Sequence, residues 1–207
     1  MILIENVEVT GITRAVYSAR NAMNSWDKSD SHFETDTLGI NDYDLAKRLC
    51  KAGTDHRKFM RMINVTMDIT APLYYWKHLS TYKVGTVCNA TSTMHKIHAK
   101  EFTLDDFSTE HLMDFSWNRL DDLITHLNWC REKFIETKDK DYWWQMIQLL
   151  PTSYNQKRTL QLNYEVLTNI YKSRRNHKLD EWRDFCIWIE TLPYSELITV
   201  TSTEGNA

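Results

Sequence analysis

The sequence has 207 residues, which allows one domain with a full core and leaves little room for two. Its apolar fraction of 42% and charged fraction of 26% are ordinary for a soluble globular protein. The net charge of -3 argues against sequence-independent binding of nucleic acid, which needs a clustered positive surface.

Cysteine spacing and hydropathy indicate where in the cell the protein is expected to lie. The four cysteines are far apart and form no CxxC pair, so we expect reduced thiols in a cytoplasm rather than disulfides or zinc. The opening apolar run is short and lacks a positive flank, so we expect no secretory leader. No apolar run reaches the roughly 18 residues of a membrane span, so no contact with a membrane is expected.

The predicted elements begin with a strand over residues 2–9, where apolar and β-branched residues alternate. A helix over residues 13–23 follows, and then a polar loop over residues 24–36. The next helix is predicted to have Asn41 as its N-cap and to stop at Gly53.

The middle of the chain is predicted to contain a strand and two helices. Residues 59–70 place apolar side chains mostly two apart, which favours a strand. Pro72 is expected in the first turn of a helix that carries residues 74–78. A longer helix is indicated by one apolar face, made of Leu120, Leu123, Ile124, Leu127, Cys130 and Phe134.

The last third is predicted to add a strand over residues 156–162 and two further helices. Only five glycines and three prolines interrupt the chain, so helices should dominate. We therefore predict a helix-rich α+β fold with a mixed or antiparallel sheet. Residues 1–195 should form a single domain, and residues 196–207 a flexible tail.

Two polar segments are candidates for ligand binding. The loop over residues 55–58 carries His56, Arg57 and Lys58, which suit a phosphate or a polar ring edge; the alternative is a solvated turn. Residues 82–95 are rich in short hydroxyl and amide side chains, which bind ligand oxygens or simply form an irregular loop.

Other kinds of site find little support. His95, His98 and Glu101 are spaced by three and would share a helical face, but no second carboxylate or HExxH pattern accompanies them. We interpret these histidines as surface or core residues and expect no metal. Walker A, G-x-G-x-x-G and G-x-S-x-G motifs are all lacking, so a flavin or nucleotide would be bound without a Rossmann turn.

Near the end of the chain, Asn163 stands where a helix should start, so capping alone could explain it. Arg174 comes about three turns later on the same face, whereas Asn169 lies off that face. The helix macrodipole would by itself favour Arg174 or Arg175 at the helix end.

Several segments together carry a family resemblance. They are residues 18–27, which end in Ser25-Trp26-Asp27, residues 45–53 with His56 and Phe59, Ala71-Pro72, Leu150-Pro151, and Asn163, Leu167, Asn169 and Arg174 or Arg175. In order and spacing they resemble the flavin-dependent thymidylate synthase (ThyX) family. The resemblance covers residues 1–192, and it depends on the segments being collinear.

The chain departs from the family where the family has arginines. The R-H-R motif is replaced by Thr81-Tyr82-Lys83, and the Arg-Tyr pair by Met94-His95. The family's serine seven residues after R-H-R matches Thr91, or Ser92 if one residue is inserted. Two further family arginines are replaced by Ile147 and by Glu165.

The resemblance implies a homotetramer with active sites shared between subunits. It implies reductive methylation of deoxyuridylate (dUMP), with methylenetetrahydrofolate giving the carbon and FAD, reduced by NADPH, giving the hydride. The implied flavin contacts are Ser25, His56, Arg57, Asn163 and Asn169. The implied nucleotide-binding residues are Lys83, Thr91, Ser92, Thr93, His95, Arg174 and Arg175, and those implied in catalysis are Ser92, Tyr82 and Lys83.

Loss of the family's arginines leaves three hypotheses open. A charged hydrogen bond to a phosphate is worth about 1.5–3 kcal/mol, so losing several could abolish binding of one ligand. Compensation could come from Arg57, Lys58, Arg61, Lys83, Lys157 and Arg158. The chain is then a working flavoenzyme, a non-catalytic nucleotide-binding protein, or a structural oligomer.

Overall fold

A computed structural model describes residues 2–200. Its sheet has four antiparallel strands in the order β1-β2-β4-β3. The strands are β1 (Leu3–Thr10), β2 (Asn64–Pro72), β3 (Val87–Ala90) and β4 (Asn155–Asn163).

Helices account for most of the remaining elements. They are α1 (Ile12–Ala19), α2 (Ile40–Lys51), α3 (Leu73–Leu79), α4 (Asp114–Thr137), α5 (Lys140–Gln148), α6 (Tyr164–Arg174), α7 (Asp180–Ile189) and α8 (Glu196–Thr199). Four short 3₁₀-helices lie at Arg20–Met23, Trp26–Lys28, Lys58–Met62 and Leu104–Asp106. The predicted helix-rich α+β fold is confirmed.

Strand β2 begins later than the sequence predicted. Residues 64–71 alternate between half-buried and buried, as in a strand with one buried face, but Lys58–Met62 forms a 3₁₀-helix. Phe59 and Met60 are adjacent and both buried, which does not fit the alternation of a strand with one buried face. The spacing of apolar residues did not distinguish the two, because a short 3₁₀-helix can also bring neighbouring residues into a core.

Helix α2 is capped from outside its own sequence. The predicted cap, Asn41, lies within the first turn, and Gly39 occupies the N-cap position. The Asp30 carboxylate accepts from the Asn41 amide at 2.9 Å and from the Asp42 amide at 3.0 Å. A carboxylate from a distant loop therefore satisfies the free N–H groups that a local cap usually satisfies. Gly53, with φ of 102°, follows the helix as expected.

The chain divides into two compact units, and the first combines residues 2–3, Ile69–Thr81 and Asn89–Arg158. Its core forms around α4, the helix predicted most directly from its apolar face. The buried members are Ile97, Phe102, Phe107, Leu120, Ile124, Leu127, Cys130 and Met146. Helix α5, which was not predicted, supplies Met146. Its N-cap is Asp139, whose carboxylate accepts from the Asp141 amide.

The second unit combines Ile4–Asp68, Tyr82–Cys88 and the described residues from Thr159 onward. Its fully or almost fully buried side chains include Val16, Ala46, Met60, Tyr164, Leu167, Ile170, Trp182, Phe185 and Ile189. Two buried arginines also lie in this unit. Arg20 pairs with Asp42 at 2.6 Å, and Arg57 pairs with Glu165 at 2.9 Å.

Residues 196–199, at the start of the predicted tail, form α8. Leu197 and Ile198 of this helix are each only 1% exposed, so packing orders the segment. Residues 201–207 lie outside the described residues. A single domain over residues 1–195 stays a prediction. Between residues 2 and 200, no helix is long and apolar enough to cross a membrane.

All four cysteines are free thiols, and three of them are buried. Burial raises the pKa of Cys50 to about 12 and that of Cys186 to about 11. Burial also raises the pKa of Cys130. Cys88, in β3, is exposed.

Candidate functional site

A cavity of about 890 Å³ lies in the second unit beside the predicted His56 loop. We name it the His56 cavity. Its walls come from the end of α1 and the following 3₁₀-helix on one side, and from residues 55–62 on the other. It is lined by Ser18, Ala19, Asn21, Ala22, Leu49, Asp55, His56, Lys58, Phe59, Arg61 and Met62.

The lining of the His56 cavity combines an apolar surface with a few polar groups, as ligand cavities usually do. Alanine, leucine, phenylalanine and methionine side chains give the apolar part, which suits a planar ring. His56 is exposed and offers a ring nitrogen. Lys58 and Arg61 add positive charge that can bind a phosphate.

Arg57, next to His56 and predicted to contact flavin, forms an ion pair within the protein. Its Nε and Nη2 donate to the two carboxylate oxygens of Glu165 at 2.9 Å and 3.1 Å. The side chains of Arg57 and Glu165 are only 8% and 7% exposed. Glu165 stands where the ThyX family has an arginine. Arg57 was expected to compensate for the loss of that arginine, but its guanidinium is bound to Glu165 instead.

Asn163 caps α6, as its position predicted. Its Oδ1 accepts from the Val166 amide at 3.0 Å. Its Nδ2 lies beside Gly85, whose φ is 72° and where an added Cβ would approach that nitrogen to 2.9 Å. Asn169 is exposed on α6, and neither asparagine is among the residues that line the His56 cavity.

Ser25, another predicted flavin contact, is half-buried after the first 3₁₀-helix. Its amide donates to the Arg20 carbonyl at 3.3 Å, and its own carbonyl accepts from Arg20 Nη1 at 3.4 Å. These contacts fix the turn, and Ser25 does not line the His56 cavity.

Tyr82, which the resemblance implies in catalysis, and Arg174, which it implies in nucleotide binding, are brought together in the second unit. Arg174 Nε donates to the Tyr82 hydroxyl at 2.9 Å. The Arg174 guanidinium carbon lies 5.7 Å from the centre of the Tyr82 ring and 5.3 Å from that of Trp182. Such cation–π contacts hold a guanidinium in one orientation. Sequence reasoning missed Trp182, since nothing local linked α7 to residue 82.

Arg174 and its neighbours differ in exposure. Arg174 is half-buried, whereas Arg175 is exposed at the end of α6 and makes no contact with Tyr82. Lys83 is also exposed. Of the two arginines that the sequence left as alternatives, the structure therefore favours Arg174 as the oriented one.

A cavity of about 530 Å³ lies in the first unit around Ser92, and we name it the Ser92 cavity. Its lining residues are Thr70, Thr91, Ser92, Lys96, Ile97, Lys100, Asp105, Asp106, Tyr154, Asn155 and Lys157. The Ser92 hydroxyl oxygen accepts from the amides of His95 at 2.8 Å and Met94 at 3.2 Å. Ser92 therefore stabilises a turn. Thr93 is half-buried and His95 is exposed, and neither lines this cavity.

Three of the other cationic residues expected to compensate for the missing family arginines are divided between the two cavities. Lys58 and Arg61 line the His56 cavity, and Lys157 lines the Ser92 cavity. Arg158 is already engaged, because its guanidinium carbon lies 4.6 Å from the Trp76 ring centre and its Nε donates to Gln156 at 2.9 Å. Ile147 packs against the core of the first unit.

Metal binding has no support in residues 2–200, where no group of three or more histidine, cysteine, aspartate or glutamate side chains is arranged to hold an ion. His98, predicted to be a surface or core residue, packs its ring against Phe134 at 4.8 Å between centres.

No protein-family model and no curated protein matches this sequence significantly. Solved structures do match over nearly the whole chain. The flavin-dependent thymidylate synthase ThyX from Helicobacter pylori, complexed with FAD and dUMP, has a TM-score of 0.70 at 17% identity, covering 95% of this chain and 97% of that one. A second structure of that enzyme with FAD and dUMP gives a TM-score of 0.70 at 16% identity, covering 95% and 96%.

The UMP/dUMP methylase PolB from Streptomyces cacaoi, bound with 5-Br dUMP, has a TM-score of 0.63 at 15% identity, covering 98% of this chain and 96% of that chain. Together these likenesses show that the chain has the fold of the flavin-dependent thymidylate synthases. At such identities the likeness extends to the fold alone.

Proposed function

We propose that this chain is a flavin-dependent enzyme that methylates the uracil ring of a pyrimidine nucleotide, with dUMP as substrate. The observation that carries the proposal is the likeness over 95% of the chain to an enzyme complexed with FAD and dUMP. The positions of His56 and Arg174 add support, because each presents chemistry that such ligands need.

Arg174 is the residue proposed to bind the nucleotide phosphate. Among residues 2–200, Nε is the only guanidinium nitrogen of Arg174 that makes a hydrogen bond, so both Nη groups can donate to phosphate oxygens. Tyr82 and Trp182 restrict the guanidinium before a ligand arrives, which lowers the entropy lost on binding. Lys83, exposed beside Tyr82, would add a second positive charge.

The His56 cavity has groups that fit a flavin. Its apolar lining suits the ring system, Lys58 and Arg61 would hold phosphates, and His56 would contact a polar ring edge. When bound, reduced flavin supplies the hydride, while NADPH reduces it and methylenetetrahydrofolate supplies the carbon. The protein's part is then to bind, orient and polarise, and no protein nucleophile is required. Tyr82, Lys83 and Ser92 are the residues proposed to orient and polarise the uracil.

The proposal also includes an oligomeric state and a cellular location. A homotetramer with sites shared between subunits is proposed from the family resemblance alone. A cytoplasmic location is proposed because all four cysteines are free thiols.

The proposal is tested by the visible spectrum of the purified chain before and after incubation with FAD. A retained flavin absorbance, and thymidylate formed from dUMP, NADPH and methylenetetrahydrofolate, are expected. Arg174→Lys should weaken dUMP binding about tenfold, because one ammonium replaces a fork of donors. The matched variant Arg175→Lys should bind as the wild type does. A colourless protein that takes up no FAD would contradict the flavoenzyme.

A non-catalytic nucleotide-binding protein is the second candidate, favoured by the ion pair between Arg57 and Glu165 and by the apolar packing of Ile147. At both positions, 147 and 165, the ThyX family has an arginine that this chain lacks. A rise in Tm with dUMP but no product would select this candidate. If no nucleotide changes the Tm of the purified chain, the remaining hypothesis is a structural oligomer.

A further inference from the structure

A second cavity of the second unit, of about 740 Å³, lies between α2 and the 3₁₀-helix Trp26–Lys28. We name it the basic cleft. Besides Asn41 and Asp44, its lining consists of cationic side chains only: Arg20, Lys28, Lys47, Arg48 and Lys51. None of the residues proposed to bind flavin or dUMP lines it.

Two of these five cations are neutralised by neighbours. Arg20 is 6% exposed and pairs with the buried Asp42 at 2.6 Å. Lys47 Nζ lies 2.8 Å from Asp44 Oδ1. In the described part of the chain, Lys28, Arg48 and Lys51 have no ion pair. Three unmatched positive charges therefore face one cleft in a chain whose net charge is -3.

Helix geometry explains only part of this arrangement. Arg48 and Lys51 lie in the last turn of α2, where the macrodipole favours cations. Against this, like charges three or four residues apart on a helix repel each other. Lys28 comes from a separate element, and its presence in the cleft has no such local explanation.

The two walls of the cleft are fixed to each other by a buried network. Asp42, in the first turn of α2, accepts from the Ser29 hydroxyl at 2.6 Å and from the Ser31 hydroxyl at 2.5 Å. Ser29 directly follows Lys28, so the same carboxylate that pairs with Arg20 sets the distance between Lys28 and α2. The positive charges are thus held together before any ligand binds.

We propose that the basic cleft binds a small ligand that carries a terminal pyrophosphate or triphosphate group. Such groups bring three or more negative charges in a short span, which matches the three unpaired cations, whereas a single phosphate would leave one unmatched. The volume lies within the roughly 300–1,000 Å³ usual for small-molecule sites. Nucleic acid is disfavoured, because the cleft is local and the chain as a whole is negative.

The test is calorimetric titration of the full chain with inorganic tripolyphosphate at fixed ionic strength. One site per chain is expected. The variant Arg48→Gln/Lys51→Gln should bind about tenfold or more weakly, because it loses two charge-assisted contacts. The matched variant Lys133→Gln/Lys140→Gln removes the same charge from residues that do not line the cleft, and it should bind normally.

Three results would overturn the proposal: equal weakening in both double variants, orthophosphate binding as tightly as tripolyphosphate, or displacement of tripolyphosphate by a single-stranded oligonucleotide at lower concentration. The test is independent of the flavin and dUMP assays. Arg48→Gln/Lys51→Gln should keep the wild-type spectrum and dUMP affinity, so failure of either proposal would be seen separately.

Discussion

The guanidinium of Arg57 and the carboxylate of Glu165 form a two-pronged, buried ion pair between a loop and the first turn of α6. Glu165→Ala should leave a buried, unpaired cation and lower the free energy of unfolding by about 3–5 kcal/mol. Urea denaturation measures this loss. Arg57→Met/Glu165→Leu should recover much of it, because no uncompensated charge remains.

The exposed pair of Arg119 and Asp122 provides the control, since Asp122→Ala should cost about 1 kcal/mol or less. If Glu165→Ala were no more destabilising than Asp122→Ala, the buried pair would not be a stabilising contact.

Tyr82→Phe should weaken dUMP binding about tenfold, since it removes the hydroxyl that accepts from Arg174 and lets the guanidinium rotate. The ring that packs against Trp182 is kept, so the Tm without ligand should change little. Tyr142→Phe is a suitable control on α5. Unchanged dUMP affinity in Tyr82→Phe would show that the contact does not orient Arg174 for binding.

Asn163→Ala should lower the free energy of unfolding by about 1 kcal/mol, because it removes the cap of α6. Asn163→Ser should restore most of that stability, since serine is also a good cap. A flavin contact through the amide would be lost in both variants. FAD titrations of the two variants therefore separate the capping role from the proposed ligand role: equal affinity to wild type in Asn163→Ser would eliminate the flavin contact.

Gly85→Ala should destabilise the chain more than Gly53→Ala. Both glycines have positive φ, of 72° and 102°, so each substitution strains the backbone by about 1–3 kcal/mol. At Gly85 the new Cβ would also come within 2.9 Å of Asn163 Nδ2 and 3.2 Å of Val166 Cγ2, whereas Gly53 faces open space. Equal losses in urea midpoints would contradict this close approach.

Asp42 should make stability depend on acidic pH. Its burial raises its pKa, but hydrogen bonds from Ser29, Ser31 and Arg20 outweigh that effect, and the net pKa is lowered. A lowered pKa contributes stability that is fully present above about pH 4, the unfolded value, and is lost as pH falls through the folded value.

Asp42→Asn should therefore be less stable at neutral pH by about 3–5 kcal/mol, because Arg20 loses its buried partner. Its urea midpoint should also vary less than that of wild type between about pH 4 and pH 2. The exposed variant Asp121→Asn serves as control. Parallel pH curves for Asp42→Asn and wild type would argue against this assignment.

Where contacts are local, the sequence was a good guide to the fold. Alternation located β1, and the apolar face located α4. The sequence was a poorer guide where a group outside an element decides its structure: Asp30, which caps α2, comes eleven residues before Asn41. Strand β3 was missed because it has four exposed residues and hence no burial pattern.

The candidate site shows the same division. The capping role of Asn163 follows from one helix and was predicted. Arg57 and Glu165 lie about half the chain apart in sequence, so spacing alone could not reveal that this cation has a buried partner. The contact between Tyr82 and Arg174 likewise depends on how separate segments pack, which spacing alone does not reveal.

Cys88 lies in edge strand β3, while the other three thiols are buried and have raised pKa values. Because thiolates are the reactive form, a maleimide added near neutral pH should attach at this position alone. The native chain therefore already has a single attachment point for a fluorophore or spin label. Ligand-induced changes near the sheet edge can be followed without removing any cysteine.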